Sequence, residues 1–270
     1  MILNFIIAPF KSLFNDKSIP FDVLFFSILL FSIPIVLITG PALPDIFLSL
    51  IALYFLVKSI LKKKWEYYQN PIFYGFILFS LYGIIRSIFS DMPFESLTNG
   101  GSVFYFRYIF FAIGVWYLLD HNKHLSKCLL NISILCITIV CIDSIYQYFF
   151  EINLFGNKKF SDSRLTSLFG DEPIVGRYIA YLSIFIFALV CINFKNKNVM
   201  KLFTTLLIFC EVVVFLSGER SPLFYLILLT IFIILFSSDY RIYKIIGTLI
   251  SITIITAITF INPNAKTRII

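Results

Sequence analysis

The residues that could do chemistry begin with Ser217-Gly218-Glu219-Arg220-Ser221-Pro222, a short polar knot with an apolar run on either side. Leu202 to Leu216 precedes it and Leu223 to Phe236 follows. So brief a connection between two apolar runs joins adjacent membrane helices. A Glu and an Arg placed there sit at or just inside the membrane surface, where unpaired charge is costly and marks function. Arginine presents a planar fork that matches phosphate at two points and stays charged when buried. The chemistry this stretch suggests is recognition of a phosphorylated group at one membrane face.

The elements that must position such a site follow from composition. Of the 270 residues, 59% are hydrophobic and 14% charged, with mean hydropathy +0.92; a soluble domain would carry about 25% charged residues. Repeated apolar runs approach the roughly 20 residues that carry a helix across a bilayer. They do not alternate polar and apolar, which excludes a barrel. The expected fold class is all-α, a polytopic transmembrane helical bundle of about nine spans. These fall near residues 22–38, 43–61, 72–90, 103–119, 127–150, 174–193, 200–216, 222–237 and 243–261. The segment 1–21 reads as a cytoplasmic, interfacial start, with Lys11 and Lys17 at its polar end and no cleaved signal sequence. Residues 262–270 read as a basic stub beyond the last span.

Lysines cluster in alternate connections: Lys11 and Lys17; Lys58 and Lys62 to Lys64; Lys123 and Lys127; Lys195, Lys197 and Lys201; then Lys244. The positive-inside rule therefore places the N-terminus in the cytoplasm, and an odd number of spans places the C-terminus outside. On that topology Arg86, Arg107, Arg164, Arg177, Arg220 and Arg268 fall on the outer half, and only Arg241 falls inside. Topology requires positive charge inside and does not explain arginine outside. Two readings stand: the arginines gather around phosphate, or each pairs with a local carboxylate, for which Asp91 and Glu95 lie near Arg86 and Arg107. Asp143 and Glu211 each sit about two helical turns below the outer surface, roughly 12 Å deep at 1.5 Å per residue. A carboxylate at that depth is protonated, hydrated or paired; the expectation is that both face the interior and hold arginines, the alternative that they are neutral and bonded to Ser or Thr.

The long outer connection, about residues 151–173, carries Lys158, Lys159, Asp162, Arg164, Asp171 and Glu172. Its length points to function or disorder. Asp171 and Glu172 are the acidic pair beside the arginines. Glu172 is the candidate general base, and the other reading is that the pair caps the helix that Pro173 starts. Glu219 is expected to orient Arg220. The cysteines, Cys128, Cys136, Cys141, Cys191 and Cys210, lack metal-ligand spacing and read as packing residues. His121 and His124 share one inner loop and have no further ligands near in sequence, so no metal site and no cofactor is expected.

Two stretches, Arg164 to Tyr178 (RLTSLFGDEPIVGRY) and Leu216 to Ser221 (LSGERS), resemble the O-antigen ligase and O-antigen polymerase family. The first is similar to its Arg-x-x-Gly-type segment entering a span; the second is similar to its Ser/Gly-Ser/Glu-Arg hairpin. Their order, with two spans and a lysine-rich inner loop between, also fits, and the likeness covers roughly residues 70–265. The resemblance implies transfer of glycan from an undecaprenyl-diphosphate carrier to an acceptor sugar on the periplasmic face of the bacterial inner membrane. The acceptor would be lipid A–core for a ligase or another lipid-linked repeat unit for a polymerase. The partners implied are these glycans and membrane lipids, with no nucleic acid. Arg164 and Arg220 would meet the diphosphate, with Arg177, Glu219, Asp171, Arg86 and Arg107 as further binding residues. Family members continue past this point with a large outer loop and more spans, and the ligases carry a histidine in that loop. The expectation is thus a truncated or divergent member. A transporter or flippase of lipid-linked sugars, or an inactive fragment, is the alternative.

Overall fold

The computed structural model describes residues 2–98, 101–161, 164–193, 197–236 and 241–261. Lys195, Asp162 and the stub 262–270 with Arg268 lie outside the described residues. The described chain is helical, with no strand beyond two isolated bridges, Ile152 with Lys158 and Ser161 with Arg164. Among these residues seven helical segments are long and apolar enough to cross a membrane. The chain divides into two units, Met1–Cys128 and Leu129–Ile270.

In the first unit, α1 (Ile2–Asn15) leads to α2 (Phe21–Val36), α3 (Ala42–Lys62), α4 (Pro71–Ile88), the short α5 (Pro93–Thr98) and α6 (Phe106–His121). Local chemistry sets the ends. Pro71 opens α4 at a position where its missing N–H costs nothing, and the Asn70 side chain accepts from Ile72 N at 2.9 Å. The core is the α3–α6 seam, where Ile51 and Phe55 are fully buried. Gly114 of α6 lets the helices close, since a Cβ there would meet Ile51 and the Phe55 Cβ at 3.2 Å. Several polar groups in this unit are paired across its helices: Lys58 and Tyr54 both reach Asp22, and Tyr67 donates to Asp120 at 3.0 Å.

The second unit holds α7 (Leu125–Phe150) from Leu129 onward, then α8 (Val175–Asn193), α9 (Lys197–Ser217), α10 (Arg220–Phe236) and α11 (Arg241–Ile261). Helix α8 packs on α9 and α10, and α11 packs on α9 and α10. Ile179, Ile186, Leu207, Val213, Val214 and Leu226 form its core. Each of the nine apolar runs lies on a helix from α2 to α4 or α6 to α11. The 21-residue α9 has span length, whereas α10 is shorter at 17 residues.

The structure corrects three expectations. Lys244, counted with the inner-side lysines, is fully buried and paired with Glu211 at 2.9 Å. Glu211 therefore holds a lysine, not an arginine, and accepts a second bond from Thr230 at 2.6 Å. A charge between packed helices must find a countercharge, and α9, α10 and α11 supply the three members of this cluster. The partner of Arg107 is neither Asp91 nor Glu95 but Asp45, which it grips with both guanidinium nitrogens at 2.7 and 2.9 Å.

Candidate functional site: the α7–α8 loop and the α8 entrance

The loop between α7 and α8 is anchored by the last turns of α7. Asp143 and Gln147 stand one helical turn apart, on one face, and both are buried. Asp143 accepts from Ser167 Oγ at 2.6 Å and from Leu154 N at 2.9 Å. Gln147 Oε1 accepts from Thr166 N and Ser167 N at 2.9 and 2.8 Å, and its Nε2 donates to Thr166 Oγ1 at 3.1 Å. Buried Asn153 donates to Ser167 O at 2.6 Å and accepts from Asn157 N at 2.7 Å. These bonds hold Ser167 at φ 48°, a left-handed conformation unusual for serine. Asp143 was expected to orient an arginine. It instead satisfies loop backbone and a serine hydroxyl, because the loop folds back onto the helix end and brings donors down to it.

This anchoring fixes what the loop carries. Leu165, Thr166 and Ser167 are buried, and Arg164, immediately before them, is exposed. Its backbone N–H donates to Ser161 O at 3.1 Å. Phe169 packs on Tyr178 of α8 with ring centres 5.2 Å apart. Asp171 and Glu172 follow on an exposed stretch that leads into α8.

The entrance of α8 meets the α9–α10 turn. Glu219 Oε1 accepts from Gly176 N at 2.6 Å, and the carboxylate also takes the Arg177 N–H. The first amides of a helix have no partner within it; here a side chain from a turn 43 residues further on supplies one. The Glu219 side chain is 8% exposed and the Arg177 side chain 60%, with Nε 3.8 Å from Glu219 Oε2. Burial pushes the Glu219 carboxyl above its ordinary range, against the pull of the two amides, Arg177 and Arg164. The turn approaches so closely that a Cβ at position 176 would lie 2.9 Å from Ser217 Oγ and 3.0 Å from Glu219 Oε1. Glycine is required there by proximity, in a helical position.

Of the residues singled out in the sequence, the structure brings Arg164, Arg177, Glu219 and, as its chain neighbour opening α10, Arg220 to one part of the second unit. The cap of α8 comes from Glu219, so Asp171 and Glu172 do not fill the capping role considered for them. Glu219, expected to orient Arg220, reaches Gly176 and Arg177. Arg86 and Arg107 belong to the first unit. Sequence reasoning missed Gln147 and Asn153; two amide side chains at the end of an apolar helix were the signal. His121 Nδ1 lies 2.9 Å from Tyr117 O and His124 Nε2 3.3 Å from Asp16. Among the described residues no three metal-ligating side chains gather.

Chemically, the arrangement offers exposed guanidinium groups, of which Arg177 lies 3.8 Å from the buried Glu219 carboxylate. One carboxylate among three guanidinium groups leaves the charge there positive, which suits an anion. Comparison with known proteins finds no matching family model, no matching curated protein and no matching solved structure.

Proposed function

We propose that this chain transfers glycan from an undecaprenyl-diphosphate carrier to an acceptor sugar at the outer face of the bacterial inner membrane, in the manner of the O-antigen ligases and polymerases. In this reading the nine apolar helices all span, with the N-terminus cytoplasmic and the C-terminus periplasmic. The supporting observation is the Glu219 carboxylate, which ties the α8 entrance to the α9–α10 turn and lies in the field of both Arg177 and Arg164.

The acceptor hydroxyl attacks the anomeric carbon, and the bond from that carbon to the diphosphate oxygen breaks. The bonding pair leaves with the diphosphate, where Arg164, Arg220 and Arg177 stabilise the growing negative charge. Loss of one such preplaced donor costs about 3–4 kcal/mol of barrier. Glu172, exposed on the loop between Arg164 and Arg177, takes the hydroxyl proton. Arg107 is held by Asp45 and has no part in this step.

The test is transfer from a purified lipid-diphosphate glycan, with Arg164→Ala and Arg220→Ala each expected to lose at least about 100-fold in rate. Long polysaccharide assembled normally in cells carrying Arg220→Ala would overturn the assignment. The Glu211–Lys244 pair favours a second reading, movement of lipid-linked sugars through the membrane, since transporters carry charge at depth. Flipping of the labelled lipid in vesicles without an acceptor would select it.

A further inference from the structure

At the C-terminal end of α4 an open cleft of about 490 Å³ is lined by Tyr82, Ile85, Arg86, Phe89, Ser90 and Asp91. Its two charges are opposite, and among the described residues Arg86 and Asp91 form no ion pair with each other or with anything else. By contrast Arg107 of the same unit is gripped at two points by Asp45. A cleft that keeps a guanidinium and a carboxylate apart suits a ligand that carries both signs. A diphosphate does not fit this description, because Asp91 repels it.

A second feature leads out of the cleft. Leu78, Tyr82 and Ile85 recur at helical spacing on one face of α4 and Phe89 follows as its C-cap residue; all four are exposed, Leu78 at 67% and Phe89 at 85%. From Leu78 to Phe89 the stripe rises by 11 residue steps, about 16 Å at the helical rise, the scale of an extended acyl chain. Ser80 is the one buried residue of α4. The polar groups thus stand at the end of a membrane-length helix, at headgroup depth, above an apolar track.

We propose that this cleft is a binding site for a phospholipid with a zwitterionic phosphate–ammonium headgroup, of the phosphatidylethanolamine class. Arg86 takes the phosphate in a charge-assisted bond and Asp91 takes the primary ammonium. The Tyr82 hydroxyl serves a phosphate oxygen, and one acyl chain lies along Leu78, Ile85 and Phe89. This site lies within the first unit and does not depend on the glycan-transfer reading.

The experiment is native mass spectrometry of the full chain, released from nanodiscs that contain equal amounts of phosphatidylethanolamine, phosphatidylglycerol and phosphatidylcholine with identical acyl chains. The intact protein is expected to retain phosphatidylethanolamine about tenfold over phosphatidylglycerol. Arg86→Gln loses retention of both. Asp91→Asn removes the ammonium partner and the repulsion of an anionic lipid together, so the preference inverts toward phosphatidylglycerol. Phe89→Ala weakens retention without changing the preference. Both charged residues are exposed, so these variants fold. An unchanged preference in Asp91→Asn overturns the headgroup assignment. Equal retention of the three lipids by the parent overturns the site, and displacement by acyl-free glycerophosphoethanolamine at equal concentration overturns the lipid track.

Discussion

Gly176→Ala should destabilise the protein, although alanine is the better helix former. In a helix that neither residue crowds, the exchange gains about 1 kcal/mol. Here the new methyl lies 2.9 Å from Ser217 Oγ, 3.0 Å from Glu219 Oε1 and 3.1 Å from Glu219 Cβ. None of these atoms retreats freely. Ser217 is buried and its hydroxyl donates to Val214 O at 2.8 Å; the Glu219 carboxylate is held by the Gly176 amide at 2.6 Å. Overpacking costs about 1–3 kcal/mol, and a displaced charge-assisted bond about 1.5–3 kcal/mol more. Set against the propensity gain, the net loss is about 1.5–5 kcal/mol. That lowers the melting temperature in detergent by on the order of 5–10 °C, followed by the loss of monodisperse protein on heating. Gly75→Ala in α4, where a Cβ meets nothing within 4 Å, is the control and should be neutral or stabilising. Adding Ser217→Ala to Gly176→Ala removes the nearest atom and should recover part of the loss. A Gly176→Ala protein that melts at or above the parent refutes the close approach of the α9–α10 turn to α8.

Three further outcomes follow from the same unit. The Glu219 carboxyl titrates above its ordinary range through burial, so the folded state binds its proton more tightly than the unfolded chain. Its contribution is full at low pH and is lost as pH rises through the folded value; Glu219→Gln should flatten that segment of the stability–pH curve, and an identical slope in the variant would count against it. Replacing Asp143 by Ala strips the acceptor of Leu154 N and leaves Ser167 Oγ only the longer bond to Val140 O at 3.4 Å, at a cost of about 1–3 kcal/mol, and trypsin should then cut at Lys158 faster, whereas unchanged cleavage would separate Asp143 from loop anchoring. Glu211→Leu alone leaves Lys244 buried without its countercharge and should cost about 3–5 kcal/mol, while Glu211→Leu with Lys244→Met should recover most of it; additive losses in thermal melts would show that the two do not act as a pair.

How much was legible beforehand depends on range. Composition and run length were enough to place nine helices, because an apolar run of that length has to satisfy its backbone within itself in a membrane. Pro173 marked the approach to α8, which begins two residues later at Val175. The motif at Ser217 to Ser221 and the arginines at 164 and 177 could be named as a group. What each does was not readable, since a charged side chain takes the partner that folding brings nearest. Arg107 found Asp45, 62 residues away, over carboxylates much closer in sequence. Lys244 followed the positive-inside pattern by position, yet its ammonium lies buried against Glu211 because α11 packs on α9.

The sequence by itself determined the helical class, the apolar runs and the sorting of arginines from lysines along the chain. These depend on residue type and local periodicity alone. Only the tertiary structure decided that Asp143 anchors a loop, that Glu219 caps a helix from another hairpin, and that Gly176 is needed for closeness. Each of those is a contact across 11 to 43 residues, and its geometry is set by how helices pack against one another.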